Sequence, residues 1–191
     1  MQLLKDRIIK DGQVLSDTII KVDSFLNHQI DPVLMFAVGQ EFATRFADTP
    51  KKITKILTIE ASGIAAALTT GYVLEVPVVY AKKKKPSTIK EDTYTVTVHS
   101  FTRDEDVNVV VQAKYLTTDD HILIIDDFLA TGEAIRGMVD LVKQSGASLA
   151  GVGIVIEKQF QHGGDKLRTA GVRIESLAQI EGTFNGKITI A

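Results

Sequence analysis

The segment from His121 to Ala134, HILIIDDFLATGEA, constrains this chain more than any other stretch. Ile122, Leu123, Ile124 and Ile125 follow one another with no polar alternation. A run of that kind is a strand buried on both faces, which belongs in a parallel sheet covered by helices on each side. Two acids, Asp126 and Asp127, close the strand. Helical sequence over 131–145 follows, with Gly146 placed to stop it. Ligands of such sheets sit at the carboxyl ends of the strands. A helix that opens there offers unpaired N–H groups and the positive end of its dipole, which together hold a phosphate. Thr131 adds a hydroxyl donor and Gly132 permits close backbone approach. The carboxylates do not favour a phosphate, but they accept hydrogen bonds from vicinal hydroxyls. A ligand with a phosphate at one end and a ribose diol beside it satisfies both halves. Rival phosphate motifs are missing: no G-x-x-x-x-G-K-[ST] occurs, and Gly151-Val152-Gly153 has Ile156 where a third glycine is required.

The rest of the chain reads as an α/β domain. Asp31-Pro32 is the first helix signal, an N-cap followed by proline at the first helical position, with Leu34, Val38, Phe42 and Phe46 as one apolar stripe behind it. Strands are expected over 53–59, 76–81 and 151–157, with an Ala-rich helix over 64–74. Segments 94–101 and 108–113 alternate polar and apolar residues, which predicts an antiparallel hairpin standing off the main sheet. Residues 14–30 have weak periodicity for so apolar a stretch, as expected of a segment folded over a ligand. Within it, Asn27 alone reads as a turn residue, and Phe25, like Phe128, as a packed ring.

Several classes are excluded by composition. Lys and Arg total 22 against 24 Asp and Glu, a net charge of −2, which argues against wrapping nucleic acid. There is no cysteine, hence no disulfide scaffold, thiol nucleophile or thiolate metal site, and His28, His99, His121 and His162 lie far apart with no metal-ligand spacing. No apolar run is long enough to cross a bilayer and the N-terminus is no secretory signal, so no membrane partner and a cytoplasmic location are expected.

Two more strand ends bear on the cleft. Four lysines at 82–85, headed by Lys82, read either as a solvated basic loop or as a mobile flap that lays lysines on a diphosphate. Lys158 follows Glu157 and reads either as half of a surface ion pair or as a contact to a ligand's base. Phe160 reads more simply as a packed ring than as a stacking partner.

The segment 121–134, with four aliphatics, two acids, three loose positions and Thr-Gly, resembles the phosphoribosyl-diphosphate (PRPP) motif of type I phosphoribosyltransferases. Val14-Leu15-Ser16-Asp17, the stretch 21–32 (KVDSFLNHQIDP) and Gly153-Ile154-Val155-Ile156-Glu157-Lys158 are similar to the bacterial xanthine-specific branch of that family. The resemblance implies one domain over 1–191: a parallel sheet with helices on both faces, an antiparallel flap, and an N-terminal hood drawn largely from residues 1–35. It implies transfer of phosphoribose from PRPP to N9 of xanthine, with Mg²⁺ bridging substrate oxygens, no metal ligand assigned to the protein, and a homodimer. On this reading Ala130, Thr131, Gly132, Glu133 and Ala134 cradle the 5′-phosphate. Asp126 and Asp127 bind the ribose hydroxyls and carry the catalytic charge. Ala61, Ser62, Gly63 and Lys82 hold the diphosphate, and Ile20, Asn27 and Lys158 meet the base. Two departures stand out: Ala130 occupies the position where hypoxanthine-guanine enzymes carry an acid, and Glu133 sets a negative charge in the phosphate loop. Adenine or hypoxanthine-guanine transfer, and a non-catalytic PRPP-sensing regulator, are the alternatives. A regulator needs an effector domain, for which the residues before Asp31 are too few.

Overall fold

The computed structural model describes residues 1–83, 92–100, 105–184 and 186–191. The main sheet has six strands: β3 (Lys55–Ile59), β4 (Val78–Ala81), β7 (His121–Leu129), β8 (Ser148–Lys158), β9 (Ile174–Phe184) and β10 (Lys187–Ile190). Their order is β10-β9-β8-β7-β3-β4. All neighbours run parallel except β10, which is antiparallel to β9 at one edge. The two-residue period of the strands separates two cores. Ile56, Ile125 and Val155 face one core, built with α2 (Pro32–Arg45) and α3 (Gly63–Leu74). Leu57, Ile124 and Ile154 face the other, built with α4 (Glu133–Ser145). The aliphatic run before Asp126 is thus buried on both faces, as its lack of alternation predicts.

The start of α2 also follows the sequence. Asp31 accepts a hydrogen bond from the Leu34 N–H at 3.1 Å, and Pro32 takes the first helical position. An earlier helix, α1 (Gln2–Asp11), precedes it and corrects the expectation that the first helix begins at Asp31. Its apolar stripe is narrow: Leu4 and Ile8, one turn apart, are fully buried while charges cover the other faces. It lies against α2, β9 and β10.

The hairpin of β5 (Thr93–Ser100) and β6 (Glu105–Gln112) does not stand off the core as expected. Val98, Val109 and Val111 join the core of α4, and the Gln144 side chain of α4 clasps β5 by accepting from Thr95 N–H and donating to Thr95 C=O. A two-stranded ribbon with one apolar face is marginal in water, so it buries that face on the nearest helix. Upstream, β1 (Gln13–Val14) and β2 (Ile20–Lys21) form a small antiparallel pair, followed by a π-helical turn, Asp23–Asn27, whose Phe25 and Leu26 are buried.

Candidate active site

Strands β3, β7 and β8 end at one edge of the sheet, and the polar sequence that follows each one gathers there. Asp126 is 3% exposed and accepts a hydrogen bond from the Asp127 N–H at 3.0 Å; Asp127 is half-buried. Burial, reinforced by the adjacent Asp127 charge, pushes the Asp126 carboxyl well above the ordinary carboxylate range. Burial also raises Asp127, against hydrogen bonds from Asp126 and the backbone and the Lys83 charge. The two acids titrate as a pair, and of the two Asp126 is pushed further toward its neutral form.

Asp126 also fixes the loop beside it. A Cβ built on Gly63 would stand 2.7 Å from Asp126 Oδ1 and would collide with Thr58 Oγ1. Only a residue without a side chain can open α3 there. The Thr58 hydroxyl is buried and has no hydrogen-bond partner among the described residues. The preceding loop is tied to β4: the Glu60 N–H donates to Ala81 C=O at 3.1 Å, and the Glu60 carboxylate accepts from the Lys83 N–H at 2.7 Å. The Glu60–Ala61 peptide is cis. Ala61 is exposed and Ser62 half-buried.

The lysine run divides. Lys82 is anchored by two 2.9 Å backbone hydrogen bonds to Val110, and its ammonium lies 5.8 Å from the Tyr80 ring centre. The charge of Lys83, which the sequence did not single out, lowers the pKa of both Asp126 and Asp127, against their burial. Lys84, Lys85 and the flap segment as far as residue 91 lie outside the described residues.

After β7, residues 130–132 turn into α4. Gly132 takes φ +91° at the N-cap, a left-handed conformation that favours glycine, and no side chain among the described residues caps the helix. The first N–H groups of α4 are therefore available to an anion. Glu133 pairs with Arg136 one turn along the helix, and Ala134 lies in the same first turn. Ala130 C=O accepts from Gly163 N–H at 3.1 Å.

On the other side of the acids stands Lys158, at the end of β8. Its ammonium donates to Thr18 C=O at 2.9 Å and lies 5.3 Å from the Phe128 ring centre. Burial lowers its pKa, opposed by the Asp127 charge. Thr18 belongs to the turn between β1 and β2, so the N-terminal segment reaches the cleft through this contact. Ile20 is buried on β2; Asn27 is exposed at the end of the π-helical turn. Phe160 is a partly buried packed ring. Glu157 is not the partner of Lys158 in a surface pair: it is 1% exposed and held bidentately by Arg168 at 2.7 Å, with Ser176 and Gln179 donating to the same carboxylate. Burial pushes Glu157 up, but these donors together hold it below the ordinary range.

The arrangement offers a phosphate cradle at α4, an acid pair beside it, a second loop at the start of α3 and a lysine opposite. Among the described residues no cluster of three or more His, Asp or Glu is arranged to hold a metal ion. The phosphoribosyl transferase domain family matches residues 28–171. The chain is 58% identical to xanthine phosphoribosyltransferase of Moorella thermoacetica over 98% of its own length and 95% of the relative's. It is 57% identical to the enzyme of that name from Heliobacterium modesticaldum over the full length of both. In structure it is similar to adenine phosphoribosyltransferase of Rhodothermus marinus, with a TM-score of 0.76 and 19% identity over 94% of this chain and 100% of the other. That likeness carries the fold and not the base.

Proposed function

This chain belongs to the phosphoribosyl transferase domain family, and on that premise we propose that it transfers 5-phosphoribose from PRPP to N9 of xanthine, as one domain whose hood comes largely from residues 1–35. The bond from C1′ to the diphosphate oxygen breaks, the bond from N9 to C1′ forms, and the base loses its ring proton. The products are xanthosine 5′-monophosphate and diphosphate. The carrying observation is the convergence of an uncapped α4 N-terminus, the acid pair and Lys158 at one sheet edge. Residues 130–134 bind the 5′-phosphate through backbone N–H groups and the Thr131 hydroxyl. Asp126 and Asp127 take the ribose hydroxyls, and the negative charge of the pair favours the positive C1′ of an oxocarbenium-like transition state. The loop 61–63 receives the diphosphate, with Lys82 and Lys83 at its flank. Lys158 leaves Thr18 to donate to the base. The acids are hard oxygen donors whose mutual repulsion a cation relieves, so the residues fit a magnesium ion held mainly by substrate oxygens. Such an ion supplies charge neutralisation at the diphosphate.

The test is turnover with PRPP, Mg²⁺ and each of xanthine, guanine, hypoxanthine and adenine. Xanthine is expected to give the highest kcat/KM. Preference for another base overturns the substrate, and tight PRPP binding without turnover points to a sensor.

Homodimerisation and a cytoplasmic location complete the proposal. No helix among the described residues is long and apolar enough to cross a membrane. The outer faces of α2 and α3 expose Val33, Phe36, Leu68 and Tyr72, with Phe36 and Tyr72 packed edge to face at 5.6 Å. No charged residue occurs between Glu60 and Glu75, so α3 presents a face with nothing to keep it in water. A second copy of the same face is the matching occupant. Leu68→Asp buries two charges across such an interface and is expected to weaken self-association at least about 100-fold. Sedimentation that finds the variant as dimeric as the unchanged protein excludes this face.

A further inference from the structure

Residues 163 and 164 are consecutive glycines, both buried, at the start of α5 (Gly163–Thr169). Each faces a different neighbour. A Cβ on Gly163 would collide with Ala130 C=O and stand 2.5 Å from the Thr131 carbonyl carbon and 2.6 Å from Gly132 N. A Cβ on Gly164 would collide with Glu157 Oε1 and stand 2.6 Å from Arg168 Nη1. The pair is therefore a spacer pressed between the loop 130–132 and the buried Glu157–Arg168 ion pair. The Gly163 N–H bonds to Ala130 C=O, and Leu167 reaches to 3.3 Å from where a Gly132 Cβ would be. Arg168 leaves α5 to grip Glu157 with two 2.7 Å hydrogen bonds, and Ser176 and Gln179 of β9 hold the same carboxylate.

We infer that the Gly163-Gly164 spacer and the Glu157–Arg168 clamp are positioning elements that set the shape of the loop 130–132, and with it the affinity for the 5′-phosphate. This rests on the reading of that loop as the phosphate cradle. The loop has no side-chain cap of its own, so its backbone must be held from outside if its N–H groups are to converge on one anion. Gly163 provides the flat backing. The clamp ties α5 to β8 and β9 and so holds Gly163 against the loop. A clamp made of a buried charge held by four donors resists loosening, since breaking it strands a charge in the core.

The experiment measures ribose 5-phosphate binding by calorimetry, together with the KM values for PRPP and xanthine, for the unchanged protein, Gly163→Ala and Arg168→Lys. Gly163→Ala is expected to weaken ribose 5-phosphate binding and raise the PRPP KM at least tenfold on the scale of misplaced binding groups, about 10–100-fold, with the xanthine KM within about threefold. Arg168→Lys keeps a cation but loses the bidentate fork, and is expected to show the same split at about 3–10-fold. It serves where Gly163→Ala does not fold. Ribose 5-phosphate bound equally well by the folded variants, or PRPP and xanthine KM values rising in parallel, overturns the inference. An unchanged protein that does not bind ribose 5-phosphate overturns the phosphate-cradle reading first and the inference with it.

Discussion

Asp127→Asn is expected to lower kcat and kcat/KM together by about 100-fold, the scale of losing one preorganised charge in a closed site. The substitution keeps shape and volume and removes the charge beside the proposed ribose. Asp126→Asn is expected to lower turnover by less, within about tenfold, because burial and Asp127 already drive that carboxyl toward its neutral form. The two variants also part in their stability against pH. A buried acid with a raised folded pKa stabilises the fold fully below its unfolded pKa, and that contribution is lost as pH rises through the folded value. Asn does not ionise, so Asp126→Asn should gain stability relative to the unchanged protein from mildly acid to alkaline pH. Near-normal kinetics in both variants sinks the acid pair as the seat of catalysis. A thermal-midpoint difference between Asp126→Asn and the unchanged protein that ignores pH removes the upward shift of the Asp126 carboxyl.

The strand-acid-loop-helix at 121–134 was legible because one short segment carries a complete local instruction. Four aliphatics set a doubly buried strand, the acids mark its end, and Gly132 takes a left-handed turn that opens the helix. Asp31-Pro32 is equally local. What escaped reading depends on partners remote in sequence. Glu157 beside Lys158 looks like a surface pair until β9 and α5 bring Ser176, Gln179 and Arg168 onto it. Nothing local to Gly163-Gly164 announces that it lies wedged against residues 130–132, some 30 positions earlier. α1 is hard to see in sequence because two buried side chains in ten residues make too thin a stripe among five charges. The alternation of the hairpin marks it as antiparallel, but alternation gives a face and not the helix that covers it. Lys82 is tied into the sheet by its bridge to Val110, a distinction that a run of four identical residues conceals.

Lys158→Ala is expected to lower kcat/KM for xanthine by about 10–100-fold while leaving that for adenine nearly unchanged, so that the gap between the two bases narrows. Lys158 supplies a cation and donors but no acceptor. Xanthine, guanine and hypoxanthine present an oxygen at C6 that takes such a donor, whereas adenine presents an amino group. A half-buried cation whose pKa burial already lowers gains most from an oxygen acceptor, and losing a paired buried polar contact costs about 1–3 kcal/mol. The donor is now engaged with Thr18 C=O, which makes the hood turn a stand-in acceptor that an oxopurine replaces and adenine does not. The C2 side, where xanthine carries a carbonyl and guanine an amino group, is left to the hood, so Asn27→Ala is expected to narrow the difference between those two. Competitive kinetics decide both points: adenine as the best substrate of the unchanged protein, or xanthine turnover by Lys158→Ala within twofold of normal, removes Lys158 as the selector of the base.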